Sequence, residues 1–184
     1  ELKKTVFNKP KEEAFPFYNP EELNRKIARK SLTVIGGWDE QSLEKSNDNI
    51  IISVGKLDNL YFPENLAQEG NFEHFQFGQK VAEEWDSEQS TVLALYPRFV
   101  KPKNQFGFTK EEIEFVNRAI ASKNCLLYLF GNPYVLNLFP ESYHAKIAVV
   151  YQDFTAFQSV AAEHFNEGFI AEGKLPFTLK RNRL

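Results

Sequence analysis

Four continuous apolar segments constrain the fold of this 184-residue chain more than any other feature. They lie at residues 50–54 (IIISV), 91–96 (TVLALY), 125–130 (CLLYLF) and 146–151 (KIAVVY). A strand with one solvent-facing side alternates between apolar and polar residues, whereas a strand covered on both faces is apolar throughout. The four segments therefore predict parallel strands inside a sheet. The β-branched segment 31–35 and the weaker segment 73–77 add up to two more strands.

Helical patterns separate these strands. Three residue pairs have the spacing of a capping box: Asn19 with Glu22, Thr109 with Glu112, and Thr155 with Gln158. Pro20 suits a first helical position, and Leu23, Ile27 and Leu32 give the first helix an apolar stripe. A further helix is predicted at 79–84. Alternating strands and helices imply crossover connections, so the sequence predicts an α/β fold: an open, mostly parallel sheet of five to six strands with helices on both faces.

The chain divides into one structured region and two short flanks. Residues 1–18 carry mixed charge, prolines and aromatic side chains without a period, which is typical of a linker or arm. Residues 19–179 hold the predicted strands and helices, although the pattern at 56–85 is less regular. The basic residues 180–184 are expected to form a tail. A chain that begins at Glu1, without Met, is expected to be a fragment or a processed product.

Composition and charge exclude several classes of function. The formal net charge is −3 with dispersed Lys and Arg, which argues against a nucleic-acid partner because such proteins cluster basic residues on one face. The longest apolar run, 125–130, is far shorter than the roughly 20 residues that span a bilayer, so no membrane helix is expected. Cys125 is the single cysteine, and its place in an apolar strand predicts a buried, inert thiol.

Motifs for cofactor chemistry are missing from the sequence. It contains no GxGxxG or GxxxxGK[ST] phosphate loop and no GxSxG nucleophile elbow. Its histidines, His74, His144 and His164, are scattered without the spacing of metal ligands. No cofactor and no metal are therefore expected.

Polar residues follow the predicted strands where each strand ends. Arg98, Asn132 and Asp153 come just after three of them, and ligands of open α/β sheets gather beyond the carboxyl ends of strands. These three residues form the candidate site, for a sugar or for a loop of a partner. Each also has a local explanation: Asn132 shapes a Gly-Asn-Pro turn, Asp153 hydrogen-bonds the next helix start, and Arg98 is solvated. Adjacent carboxylates such as Glu111 and Glu112 diverge on a helix, so no catalytic residue is assigned.

Four short motifs in the second half resemble glycoside hydrolase family 3. They are LFGNPYVL at 129–136, VVYQD at 149–153, QSVAA at 158–162 and GKLPFT at 173–178, similar to the family's "FGNPYxL", "VxAYED", "QxxAA" and "GKLPVT" in order and spacing. Residues 29–35 are similar to the stretch that opens the family's C-terminal domain. Residues 98–108 resemble a loop of its bacterial β-N-acetylglucosaminidase branch. The resemblance covers roughly 19–179.

The resemblance implies the C-terminal α/β sandwich domain of a family 3 glycosidase, a flavodoxin-like fold, and not the whole enzyme. The family's nucleophile is an Asp on a preceding (β/α)8 barrel, which these 184 residues do not contain. Its acid/base is a Glu on a loop of the C-terminal domain in β-glucosidases, and an Asp–His pair on the barrel in the other branch. The motifs here are nearer the second branch, so no catalytic residue is transferred. The resemblance also favours a periplasmic or extracellular location.

Three functions follow as hypotheses. The leading one is a non-catalytic accessory domain that packs on a (β/α)8 barrel of the same polypeptide or enzyme. The second is a free-standing module that binds carbohydrate or protein, and the third is an enzyme that uses the Arg98, Asn132 and Asp153 rim. The gene sequence immediately before Glu1 would separate the first two.

A domain that packs on a barrel should expose an apolar patch when it is isolated. We expect this patch at the carboxyl ends of the strands, near Tyr134 and the long loop with Phe99, Phe106 and Phe108. The aromatic side chains of that loop do not form the apolar stripe of a helix, so they are available for an exposed surface. The alternative is that these three Phe side chains fold inward and complete the core.

Overall fold

The computed structural model describes residues 19–36, 49–69, 72–140 and 145–178. The predicted arm at 1–18, the predicted tail at 180–184 and His144 lie outside the described residues. The elements are, in chain order, α1 (Pro20–Ser31), β1 (Thr33–Ile35), β2 (Asn49–Gly55), α2 (Tyr61–Glu69), β3 (Phe72–Gln76), α3 (Gln79–Glu84), β4 (Thr91–Tyr96), α4 (Lys110–Ile120), β5 (Cys125–Leu129), β6 (Lys146–Val149) and α5 (Thr155–Glu167). Two 3-10 segments, Lys103–Gly107 and Pro133–Leu138, follow β4 and β5.

The strands form one sheet in the order β1-β6-β5-β4-β2-β3. All neighbours from β3 to β6 pair in parallel, whereas β1 pairs antiparallel with β6 at the edge. Among the parallel strands the first lies between the second and the third, which is the flavodoxin-like order. The expected open, mostly parallel α/β sheet is therefore confirmed. Its strand order reverses between β2 and β4, and ligands of such folds bind beyond the carboxyl ends of the strands at that switch point.

Helices cover both faces of this sheet, as predicted. One core lies between the sheet and α1, α2 and α5, and the other lies between the sheet and α3, α4 and the two 3-10 segments. Successive residues of each central strand enter opposite cores, which is why the strands are apolar throughout. Leu127 and Leu129 face the α4 side, Ala148 and Val150 face the α5 side, and all four are buried as expected.

The first and fourth helices begin near the predicted positions. Thr109 and Glu112 form the predicted capping box of α4, with each side chain accepting a hydrogen bond from the other residue's backbone N–H. Asn19 caps α1, but its side chain accepts from the N–H of Glu21, one residue before the Glu22 of the predicted box. Pro20 occupies the first turn.

The capping box predicted at Thr155 and Gln158 is wrong. Helix α5 begins at Thr155 itself, its N-cap is Phe154, and no side chain caps it. Gln158 is fully buried and bonded to other elements instead. A buried amide must satisfy its own donors and acceptors, and this requirement outweighs the gain of a local cap.

The apolar stripe predicted for α1 is only partly buried. Ala28 and Leu32 enter the core, whereas Leu23 and Ile27 remain 42% and 47% exposed. Helix α1 packs against α5 on one face of the sheet, and Arg25 turns toward α5 to bond Glu163 at 2.6 Å. The covered strip of α1 is therefore narrower than its apolar pattern.

Residues 56–85 form more regular secondary structure than their sequence pattern predicts. Its predicted strand and helix are confirmed as β3 and α3. Between β2 and β3 the chain also forms α2, which the sequence analysis missed. This helix buries Phe62, Pro63 and Leu66, and Phe62 and Leu66 join the core on the α5 side of the sheet.

Candidate functional site

A cleft of about 590 Å³ opens at the carboxyl ends of the strands. Its walls come from the loops after β2, β4, β5 and β6, together with Pro176 of the C-terminal segment. The cleft thus lies beside the switch point between β2 and β4, where the fold is expected to bind ligands. Arg98, Asn132 and Asp153, the three candidate site residues, all line it.

The partly exposed Arg98 side chain is held by a carboxylate that the sequence pattern did not indicate as its partner. Its guanidinium donates to both carboxylate oxygens of Glu112, each at 2.7 Å, and to the carbonyl of Gly107 at 2.7 Å. The hydrogen bonds that the Arg98 guanidinium donates to Glu112 raise the pKa of Arg98. Glu112 is buried and also accepts from the N–H of Thr109. The pair therefore fastens the loop after β4 to the start of α4.

Asn132 joins two of the loops that form the cleft. Its Oδ1 accepts from the N–H of Tyr134 at 2.9 Å, which caps the 3-10 segment Pro133–Leu138. Its Nδ2 donates to the carbonyl of Val100 at 2.9 Å, across to the loop after β4. Both ends of the amide are thus bonded within the chain.

Asp153 accepts a hydrogen bond from the Lys56 ammonium at 3.3 Å, and Lys56 lies 3.7 Å from a second carboxylate, Asp58. The hydrogen bond and charge of Asp153 raise the pKa of Lys56. This ion pair links the loops after β2 and β6. The candidate residues therefore share one cleft, but each makes its described bonds with other residues of the fold and none bonds another of the three.

Gln158 is a supporting residue that sequence reasoning assigned to the wrong role. Its Oε1 accepts from the N–H of Phe62 at 2.9 Å and from the hydroxyl of Tyr96 at 3.0 Å. Its Nε2 donates to the carbonyls of Asn59 and Asp153. Four bonds satisfy this buried amide and fix the loops after β2 and β6 beneath the cleft. Its position in the QSVAA motif is the sequence signal that could have identified it.

Two of the loops that form the cleft have backbone conformations that are unusual for residues with side chains. Asn104, Gln105 and Phe106 are successive left-handed residues with φ from 50° to 57°. Tyr151, just beyond β6, has φ of 72°, and its hydroxyl pairs with Thr33 Oγ1 at 2.9 Å. Non-glycine residues in this region cost of order 1–3 kcal/mol each. Surrounding contacts therefore hold both loops in place.

Four apolar side chains around the cleft are exposed, and we call them the carboxyl-edge patch. They are Phe99 (48% exposed), Val100 (81%), Tyr134 (47%) and Phe154 (55%). The Tyr134 ring is backed by Phe177, with centroids 4.3 Å apart. Of the three loop phenylalanines that were expected to be exposed, only Phe99 is.

Phe106 and Phe108 are buried and join the core on the α4 side. The prediction that these two side chains are exposed in the apolar patch is therefore wrong. Turning them inward completes the core beneath the long loop, because Phe108 also packs on Phe139 with ring centroids 6.4 Å apart.

The remaining candidate groups lie away from the cleft. Burial raises the pKa of the Cys125 thiol to about 12, as expected of an inert thiol. His164 is buried, with Nδ1 3.0 Å from the Tyr128 hydroxyl. His74 Nε2 on β3 pairs with Ser53 Oγ on β2 at 2.9 Å.

In the part of the chain that the structure describes, no three His, Cys, Asp or Glu side chains are grouped as metal ligands. Within those same residues no helix has the length and apolarity to cross a membrane.

The sequence matches no family model and no curated protein. Its fold, in contrast, is similar to several solved structures. A family 3 β-N-acetylglucosaminidase from Paenibacillus sp. str. FPU-7 matches 84% of this chain with a TM-score of 0.62 at 14% identity, over 32% of its own length. A fungal multi-domain family 3 β-N-acetylglucosaminidase matches 86% of this chain (TM-score 0.64, 14% identity) over 19% of its length.

A family 3 β-glucosidase from Neurospora crassa matches 88% of this chain with a TM-score of 0.58 at 12% identity, over 25% of its length. This chain thus spans between about a fifth and a third of the solved structures it matches. The family resemblance of the sequence motifs is confirmed at the level of the fold. The chain has the α/β fold of one part of the family 3 glycoside hydrolases.

Proposed function

We propose that this chain is a non-catalytic C-terminal accessory domain of a family 3 glycoside hydrolase of the β-N-acetylglucosaminidase or β-glucosidase type. In this role it packs on a (β/α)8 catalytic barrel that lies outside the 184 residues. The observation that carries the proposal is the asymmetry of the structural matches. They cover 84–88% of this chain but only 19–32% of the enzymes' own lengths.

The chemistry of the cleft supports a structural role over a catalytic one. Glycoside hydrolysis needs two carboxyl groups that face each other across roughly 5–9 Å of open space. The carboxylates near the cleft form ion pairs with basic side chains instead: Glu112 binds Arg98, and Asp153 binds Lys56. The Lys56–Asp153 pair joins the loops after β2 and β6, the Arg98–Glu112 pair fastens the loop after β4, and Asn132 ties the loop after β5 to it.

The direct test mixes the purified chain with a purified family 3 (β/α)8 barrel from the same organism and follows binding by titration calorimetry. Aryl β-N-acetylglucosaminides and aryl β-glucosides are assayed in parallel with the chain alone. The proposal expects saturable one-to-one binding and no hydrolysis by the chain. Turnover by the chain that survives removal of contaminating hydrolase, or failure to bind the barrel, contradicts the proposal.

A second candidate function is a free-standing carbohydrate-binding module. The observation that favours it is the half-exposed Tyr134 ring, which is backed by Phe177 and bordered by Asn132 in the cleft. An aromatic ring next to polar groups is a common arrangement in small-ligand sites. Titration with N-acetylglucosamine and glucose oligosaccharides tests it: sugar binding without barrel binding favours this module over the accessory domain.

A further inference from the structure

Exposed large apolar side chains are concentrated at the carboxyl edge of the sheet. Among the described residues there are eight such side chains, and four of them form the carboxyl-edge patch. A fifth, Tyr61, begins α2 just after the loop that Asn59 ties to Asp153. The other three are Leu23 and Ile27 on α1 and Ile170. Clustered exposed apolar side chains mark interaction surfaces more often than scattered ones do.

The loop after β4 presents its part of the patch in a fixed conformation. Phe106 and Phe108 anchor it in the core, and the N–H of Phe99 donates to the carbonyl of Phe106 at 3.0 Å. The Arg98–Glu112 pair fastens its base. A loop that is already ordered loses little conformational entropy on binding, which favours association.

The charge of this loop defines the chemistry of its partner. Between Pro97 and Lys110 the sequence contains no Asp or Glu. Lys101 and Lys103 are exposed beside Val100, and neither forms an ion pair with a described carboxylate. A complementary surface would place carboxylates opposite them and apolar side chains opposite the patch.

We propose that the carboxyl-edge patch, with Lys101 and Lys103 at its border, is the surface by which this domain binds the barrel, and that the barrel segment seated on it presents apolar side chains flanked by Asp or Glu. This inference rests on the proposed function and adds the surface and the partner's chemistry. We assign the patch to the barrel of the proposed function because the structural matches extend over a minor part of much longer enzymes.

The experiment compares three double variants of the chain in calorimetric titrations with the same family 3 barrel. Phe99→Ser with Val100→Ser removes exposed apolar side chains from the patch. We expect the Kd for the barrel to rise at least tenfold. Lys101→Glu with Lys103→Glu reverses the border charges, and we expect a several-fold rise in Kd at low salt that shrinks as ionic strength increases.

Leu23→Ser with Ile27→Ser is the matched control. These side chains are 42% and 47% exposed, close to the 48% of Phe99, but they lie on α1 outside the patch. The control is expected to leave the Kd within twofold of the wild type. Circular dichroism and thermal melting of all variants verify that each remains folded.

The outcomes separate the surface assignment from the proposed function. If the wild-type chain binds the barrel and the patch variant binds equally well, the surface assignment is wrong and the accessory role stands. If the wild-type chain does not bind the barrel, the proposed function itself is contradicted. Sedimentation tests the remaining occupant: a wild-type dimer that the patch variant dissolves would assign the surface to a second copy of the chain and overturn the inference.

Discussion

Gly55 is a residue at which the backbone of the cleft admits no side chain. Its φ of 104° is in the left-handed region, and a Cβ would overlap the backbone carbonyl of Tyr96 on β4. We expect Gly55→Ala to lower the free energy of unfolding by about 3 kcal/mol, measured by urea denaturation. Gly78→Ala is the control, since a Cβ there meets no atom within 4 Å. Equal losses in the two variants would contradict this assignment.

His164 makes the stability of the domain depend on pH. Burial lowers its pKa to about 4, from an ordinary value of 6.5. Between these values an unfolded chain takes up a proton that the folded chain does not, so acidification favours unfolding. We expect stability to fall as the pH drops from 6.5 to 4, by at most about 3 kcal/mol from this residue.

The measurement is urea denaturation across this pH range for the wild type and for His164→Gln. The variant keeps a hydrogen-bonding group beside Tyr128 but cannot titrate, so its stability should change less steeply with pH. An NMR titration of the imidazole provides the check. The structure implies that His164 is isolated from solvent. A titration midpoint near 6.5 in the folded protein would contradict this.

At the scale of elements, β5 is central to the fold. It lies between β4 and β6, and Leu127 is buried on the α4 side. Leu127→Asp would bury a charge without a partner, at a cost of at least about 4 kcal/mol, and we expect the domain to unfold. Leu127→Val is the control, with a loss of about 1 kcal/mol. A Leu127→Asp chain that still melts cooperatively would show that the strand is not in the core.

The Arg98–Glu112 pair connects β4 to α4. Removing the guanidinium leaves Glu112 buried with only the N–H of Thr109 as a described donor. We expect Arg98→Ala to cost about 2 kcal/mol, less than a fully buried pair because Arg98 is partly exposed. In a Glu112→Gln background the same change should cost clearly less. Strictly additive losses in this double-mutant cycle would mean that the two side chains do not act together.

The sequence predicted those elements whose cause is local. Four apolar runs marked β2, β4, β5 and β6 because a strand covered on both faces needs an apolar side chain at almost every position. The capping box of α4 was predictable because Thr109 and Glu112 are three residues apart. Helix α2 was missed because Leu60, the residue before it, cannot cap a helix, so no capping signal marks where the helix begins.

The candidate site was harder to predict because its bonds join distant parts of the chain. Placing Arg98, Asn132 and Asp153 at one cleft required only the strand ends and the rule for open sheets. Their partners could not be predicted: Asn132 binds a carbonyl 32 residues away, and Lys56 binds Asp153 across 97 residues. Such pairs arise from strand order, and strand order depends on the packing of the whole sheet.

At the scale of the whole molecule, an α/β fold with a flavodoxin-like sheet presents an exposed apolar patch at the carboxyl ends of its strands. The same fold makes up a minor part of family 3 enzymes. Ion pairs and a buried glutamine hold the cleft loops together, and the patch stands at their surface. These features fit the proposed role, in which the domain packs on a larger catalytic unit and stabilises it.

Differential scanning calorimetry of a family 3 barrel from the same organism, with and without this chain, tests that role most directly. A partner that binds only the folded barrel raises its melting temperature, and above the Kd the rise keeps growing with the logarithm of the partner's concentration. We predict a rise of several degrees when the chain is present at about 100 times its Kd for the barrel, with a much smaller rise for the Phe99→Ser, Val100→Ser variant at the same concentration. Two independent transitions, each at the temperature of the isolated protein whatever the concentration of the chain, would contradict the account.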